Sequence, residues 1–428
     1  MDFQKIKFDS GLRLILVPQP MSLATTVMVL VEAGSKYETK ETNGLSHFLE
    51  HMCFKGTSKR PSQLAISTEL DNLGAEYNAF TAREYTGYYA KARNENFDQI
   101  LDIVTDMYLN PLFDPKEIDK ERGPIIEEIN MYEDLPMQKV GDLFFSLVYG
   151  DQPAGWSIAG TKENILRFQR EDFINYRKAH YLAQSTVVVV AGGFSVENVE
   201  QKVKNAFKTL NSGEKLSKLP VIEKQDEANI SFIYKETDQT HLILGFRAFD
   251  IYDERRYALS VLADILGGGI SSRLFQKIRS ELGAAYYVSA SPDFYTDHGL
   301  LLISAGISND KVEEATKIAL DECLNLKEKI VDEIELKKAK EHLIGHLFLS
   351  LESSDELAAF YGSQEIFGIP FKTPQIIAQK IQAVTSQEVN EIARFVFKNN
   401  RLNLAFIGPL SKDKKRLKNL EQILKDFK

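Results

Sequence analysis

Two kinds of hydrophobic spacing alternate along this chain. Apolar runs rich in β-branched residues occur at TTVMVLVEAG (25–34), STVVVVAGGFS (185–195), THLILGFRAF (240–249) and RLNLAFIGPLS (401–411), and such runs predict strands. Aromatic-rich segments of the same character lie between them, EYNAFTAREYTGYYAKA (76–92) and AYYVSASPDFYTDHGLLLISAG (285–306). The first run resembles the third, the second resembles the fourth, and the two aromatic segments resemble each other. The separations are 215, 216 and about 209 residues, so all three pairs point to one internal duplication. Helical spacing fills the rest: 61–73 with Pro61 near its first turn, 95–109, 115–134, 163–180 and 196–209, then 253–266, 310–326, 331–349 and 383–397. NSGEKLSKLPVIEKQDEAN, 211–229, is polar with Gly and Pro and reads as a linker. The expected fold class is therefore α+β: two homologous domains, 1–215 and 225–428, each a largely antiparallel or mixed sheet covered by helices.

Composition narrows the class of protein without naming a function. With 428 residues, 43% hydrophobic and 26% charged, the chain can build more than one core, as a soluble folded protein does. Its net charge of −9, with no block of Lys or Arg, argues against a nucleic-acid partner. The two cysteines, Cys53 and Cys323, are far apart and read as reduced thiols. The start carries neither a secretory nor an import pattern, and no stretch approaches the ~18 apolar residues of a membrane span. A cytoplasmic protein with no membrane partner is expected.

The candidate chemistry sits in GLSHFLEHMCFKGT, 44–57, which holds two of the seven histidines. On a helix His47 and His51 lie about 40° apart, with Glu50 about 60° to the other side of His47. All three share one face, for which Asn43 is a plausible N-cap. Two imidazoles at this spacing can reach one zinc ion, and Glu50 beside them can take a proton from metal-bound water. Two hydrogen-bonded, partly buried histidines would give the same spacing. The pair His342 and His346 has it too, without a matching carboxylate, and reads as structural. A catalytic zinc needs a third ligand, and DKERGPIIEEINMYED (119–134) offers Glu121, Glu127 and Glu128. Glu121 and Glu128 share a helix face and Glu127 points about 100° away, but spacing does not choose between Glu127 and Glu128.

These residues resemble the signature of the pitrilysin family of zinc metallopeptidases, whose H-x-x-E-H is inverted relative to the common zinc-protease motif. The family's glutamate ligand follows after about 76 residues, and 76 residues lie between His51 and Glu128. Gly34 and the segment YNAFTAREYTGYYA also fit, and an acidic residue seven positions before the ligand matches Glu121. In the second half, LGGGISSRLFQKIRSELGAAYYVSAS (266–290) is similar to the family's glycine-rich segment, followed by Arg279 and Tyr286. The resemblance spans nearly the whole chain and includes members of the processing-peptidase type. It implies Zn2+ held by His47, His51 and Glu128, with Glu50 as general base and Glu121 behind the ligands. Arg279 and Tyr286 would bind the substrate carbonyl, and a substrate strand would add to the edge carrying Asn78, Ala79 and Phe80. Pro124 departs from the family pattern, because a helix starting there would carry Glu121 off the ligand face. Cys53 points away from the metal face. The resemblance further implies a peptide or unfolded polypeptide substrate and a dimeric chamber. A homodimer is expected, with a heterodimer of related subunits as the alternative. The competing readings are a non-catalytic scaffold subunit and a module that captures peptides without cutting them.

Overall fold

The computed structural model describes residues 3–428, folded as two compact units. The first unit is built on a six-stranded sheet of β1 (Gln4–Lys7), β2 (Arg13–Pro18), β3 (Ala24–Val31), β4 (Glu76–Thr81), β5 (Thr86–Arg93) and β6 (Thr186–Gly192), in the order β1-β2-β6-β3-β5-β4. The second is built on β7 (Asn229–Ile233), β8 (Gln239–Arg247), β9 (Ala285–Phe294), β10 (Gly299–Ser308) and β11 (Leu402–Ile407), in the order β7-β11-β8-β10-β9. Without β1, the two sheets have one topology. β2 runs parallel to β6 as β7 does to β11, and every other pair is antiparallel. Both sheets are thus mixed and mainly antiparallel, as the repeated pattern predicts, and each aromatic-rich segment resolves into a hairpin.

Alternation along the central strands explains the layers. Val27, Val29 and Val31 of β3 enter one large core with Phe48, Tyr88, Ile100 and Phe173. Leu30, on the opposite face, packs beside Gly362 of the helix Ser354–Ile366. In the second unit Leu242, Leu244 and Phe246 of β8 line the main core. Ile243 of that strand faces Val140, Phe144 and Val148 of the helix Pro136–Tyr149. Gly245 leaves the room that Phe144 fills: a Cβ there would come within 2.3 Å of its ring.

This layering corrects the expected boundaries. The units are not contiguous halves, because residues 131–155 belong to the second and 349–371 to the first. Each sheet therefore has one face covered by a helix from the other sequence half. The helices Pro136–Tyr149, Ser354–Ile366, Pro374–Ala383 and Lys414–Asp426 were not among those predicted. The predicted helix 163–180 is two, Lys162–Arg167 and Arg170–His180, because Gln169 and Asp172 form a capping box that starts a new helix. The helix predicted over 61–73 begins at Gln63, after Ser62 as its cap. Residues 211–228 hold no regular element, as a linker should. Both cysteines are buried free thiols, and among the described residues no helix is long and apolar enough to cross a membrane.

Candidate metal centre

The short helix Leu45–Met52 follows β3 and packs against β4 in the first unit. Leu45, Phe48, Leu49 and Met52 are buried in the core beneath it, and this fixes which face turns outward. That face carries His47, Glu50 and His51. Asn43 is not the cap expected. Gly44 holds the cap position with φ +97°, a left-handed backbone that favours glycine, and an added Cβ would meet the Ala159 carbonyl at 2.8 Å. The capping oxygens come from Glu38, whose carboxylate accepts from the Gly44 and Ser46 amides at 2.9 and 2.7 Å and from Asn43 Nδ2 at 3.0 Å.

The third ligand candidate arrives on the helix Pro115–Asp134. Glu128 Oε1 lies 3.7 Å from His47 Nε2, and its Oε2 lies 3.6 Å from His51 Nε2. One ligand atom from each of the three residues falls within 4.8 Å of the others. Tetrahedral zinc with bonds of ~2.1 Å separates its ligands by roughly 3.4 Å, so this spacing fits the ion. Glu127, which spacing left open, is exposed and accepts from Asn130 Nδ2 instead. Pro124 lies inside the helix rather than starting it. It is on the exposed side, where the carbonyl it leaves unbonded can meet water, and Gly123 before it has no Cβ to clash with the proline ring. Glu121 consequently stays on the ligand face.

A carboxylate behind His51 prepares that ligand for a cation. His51 Nδ1 lies 2.9 Å from Glu121 Oε1, and Lys55 Nζ is 2.6 Å from Glu121 Oε2. A carboxylate on the far nitrogen fixes the tautomer and leaves Nε2 to bind metal. Burial opposes ionisation of Glu121, but the His51 and Lys55 hydrogen bonds outweigh it and lower its pKa. Burial likewise works to lower the His51 pKa, yet the Glu121 hydrogen bond and three nearby carboxylates raise it. His47 is driven to about 3 by burial and by the charge of His51, so its imidazole is neutral at ordinary pH. Its Nδ1 is buried and without a hydrogen-bond partner. Glu50 takes no part in the ligand cluster. Its Oε2 accepts from Thr81 Oγ1 at 2.6 Å, and burial raises its pKa against that bond, which makes it a stronger base once ionised.

A cleft of about 300 Å³ opens beside these groups, lined by Glu50, His51, Phe54, Lys55, Tyr77, Asn78 and Glu121. Asn78, Ala79 and Phe80 lie on β4, the last strand of its sheet. Asn78 Oδ1 accepts from the Ala79 amide at 2.9 Å, and Phe80 packs back over Gly87. Arg279 and Tyr286 belong to the second unit. Arg279 is exposed on a wide helical turn, Phe275–Glu281, with its guanidinium 4.8 Å above the Phe275 ring, and Tyr286 on β9 is 72% exposed. The histidine pair set aside from the sequence forms no metal cluster, and His342 Nδ1 bonds the buried Asp264 at 2.7 Å. Cys53 is buried in the core under the helix. Glu38, Lys55 and Thr81 were not anticipated. Lys55 stands one turn beyond His51 and Thr81 shares a strand face with Ala79, so both had a periodic signal, whereas Glu38 had none.

Comparison with known proteins gives the family of the chain. The family model described as insulinase (peptidase family M16) matches residues 13–162, and that of the peptidase M16 inactive domain matches 167–343. The uncharacterized zinc protease YmxG of Bacillus subtilis is 36% identical over 402 residues, 94% of this chain and 97% of that protein. An uncharacterized zinc protease of Rickettsia felis is 35% identical, over 95% of this chain and 98% of its own. A crystal structure of a protease from Helicobacter pylori superposes with a TM-score of 0.89 at 22% identity, covering 95% of this chain and 99% of the other, which speaks for the fold. Zinc is the metal these relationships imply, and two imidazoles with one carboxylate fit it. The chain belongs to peptidase family M16, the insulinase or pitrilysin family.

Proposed function

We propose that this protein is a zinc-dependent endopeptidase acting on peptides or unfolded segments of polypeptide. The observation that carries the reading is the convergence of His47, His51 and Glu128 within 4.8 Å, with Glu50 beside them and outside the cluster. His47, His51 and Glu128 would hold zinc, which when bound would supply Lewis acidity to the site. Glu50 accepts the proton of the attacking water and passes it to the leaving amine. Thr81 holds one oxygen of Glu50, a residue that lines the cleft, and so restrains its carboxylate. Glu121, itself held by Lys55, keeps His51 in the ligating tautomer. The family resemblance implies that Arg279 and Tyr286, both exposed on the second unit, donate to a substrate carbonyl oxygen as charge develops there. The unpaired edge of β4 takes the substrate as an added strand, which requires Asn78 to release the Ala79 amide. The working form is a homodimeric chamber with two complete sites.

The test is Glu50→Gln. The variant should keep about one zinc per chain and bind peptide, while mass spectrometry finds no fragments from a mixed peptide pool that the parent cuts. Equal cleavage by parent and variant removes Glu50 as the base. A parent that never retains zinc would instead make the protein a scaffold or a peptide-capturing module.

A further inference from the structure

Glu38 is a buried carboxylate that the reaction does not use. It is 3% exposed, lies nine residues before His47 and touches neither the ligands nor Glu50. Both of its oxygens point at the start of the ligand-bearing helix. Oε1 takes the Ser46 amide, and Oε2 takes the Gly44 amide and Asn43 Nδ2. That helix is eight residues long and its cap residue, Gly44, has no side chain to offer. Helices this short do not hold themselves in water, and their first amides need acceptors. An anion at the N-terminus also meets the positive end of the helix dipole.

The surroundings make this carboxylate a fixed point. Asn43 Nδ2 also reaches the Ser157 carbonyl at 2.9 Å, and the Asn43 carbonyl accepts from Asn164 Nδ2 at 3.0 Å. Ser46 Oγ is 2.6 Å from Tyr176 Oη. Glu38 thus ties the helix start, through Asn43, to the chain around 157–164. Burial pushes its own pKa up to about 7, against the lowering effect of those hydrogen bonds.

We propose that Glu38 is a positioning residue for zinc: its carboxylate sets the axial position and rotation of the helix, and so the distance between the two imidazoles and Glu128. A rotation of one residue's worth, about 100°, would bury His47, and smaller slips open the 3.6–3.7 Å ligand spacing. This inference rests on the zinc reading above.

Glu38→Gln keeps the size but turns an amide N–H toward a backbone N–H donor. Zinc affinity is measured by chelator competition, and ligand geometry by the visible absorption of the Co2+-substituted protein, with folding followed by far-UV circular dichroism. The folded variant should bind zinc 10–100-fold more weakly and give an altered Co2+ spectrum. A role in stability alone would lower Tm and leave affinity and spectrum unchanged, and that result overturns the proposal. Should Glu38→Gln not fold, Asn43→Ala removes one donor to Oε2 and leaves the carboxylate; it should weaken zinc severalfold, and an unchanged affinity is equally fatal. His47→Ala separates the two claims. If it binds zinc as tightly as the parent, the metal reading has failed rather than the role of Glu38.

Discussion

Replacing Glu121 by Gln removes a charge from the site and one of its two acceptor oxygens, the one that meets Lys55 Nζ. The amide oxygen can still accept from His51 Nδ1, now 2.9 Å from Oε1, so the tautomer survives. What changes is the strength of that bond. A net hydrogen bond to a charged group is worth about 1.5–3 kcal/mol and a neutral one about 0.5–1.5, a difference between midpoints of roughly 1.3 kcal/mol. His51 passes this difference on as lost basicity toward the metal, which corresponds to about tenfold in zinc affinity. Lys55 already draws on Oε2 at 2.6 Å, so the carboxylate is part-neutralised and the loss should lie at the low end of the 10–100-fold range for groups behind metal ligands. The assay is competition with a chromophoric chelator at pH 7.5, parent against variant. A change under twofold would refute the idea that Glu121 acts on zinc through His51.

Phe144→Ala tests the helix that crosses to the second sheet. Phe144 is fully buried in the space left by Gly245, so its loss should cost about 3–5 kcal/mol in denaturant unfolding, and a cost under 1 kcal/mol would mean the helix is held elsewhere. His180 gives the chain an acid sensitivity. Burial lowers its pKa from 6.5 to about 4, so between these values the unfolded chain binds a proton that the folded chain excludes. The His180 contribution to stability, read as the difference between the parent and His180→Gln, should then rise with pH from about 4 to 6.5 and level off above, by about 3 kcal/mol in all; a difference that does not change with pH would contradict this.

The strands and most helices could be read from the sequence because their signals are local. Val27, Val29 and Val31 alternate with Met28 and Leu30, and this requires a sheet with two apolar faces. What covers each face is not local. Val140, Phe144 and Val148 mark one apolar side of a helix, but nothing in their spacing says that Ile243 and Gly245 lie opposite. The site divides in the same way. His47, Glu50 and His51 share a face by helical period, whereas spacing alone leaves Glu127 and Glu128 open; the family resemblance points to Glu128, and the long helix brings it beside the two histidines. Pro124 suggested a break that its exposed position and Gly123 make unnecessary. The cap was misplaced on Asn43 because its true source, Glu38, acts across an irregular loop, where no periodicity exists to register it.

The traded helices also determine what a single cut would do. Were a protease to nick the polar stretch near residue 219, the piece ending there would still carry 131–155, which roofs the other sheet, and the remainder would keep 349–371, which roofs the first. Neither fragment could bury its own strands alone. They should stay clasped and active after cleavage, coming apart only in denaturant, and the halves expressed separately should be insoluble until mixed.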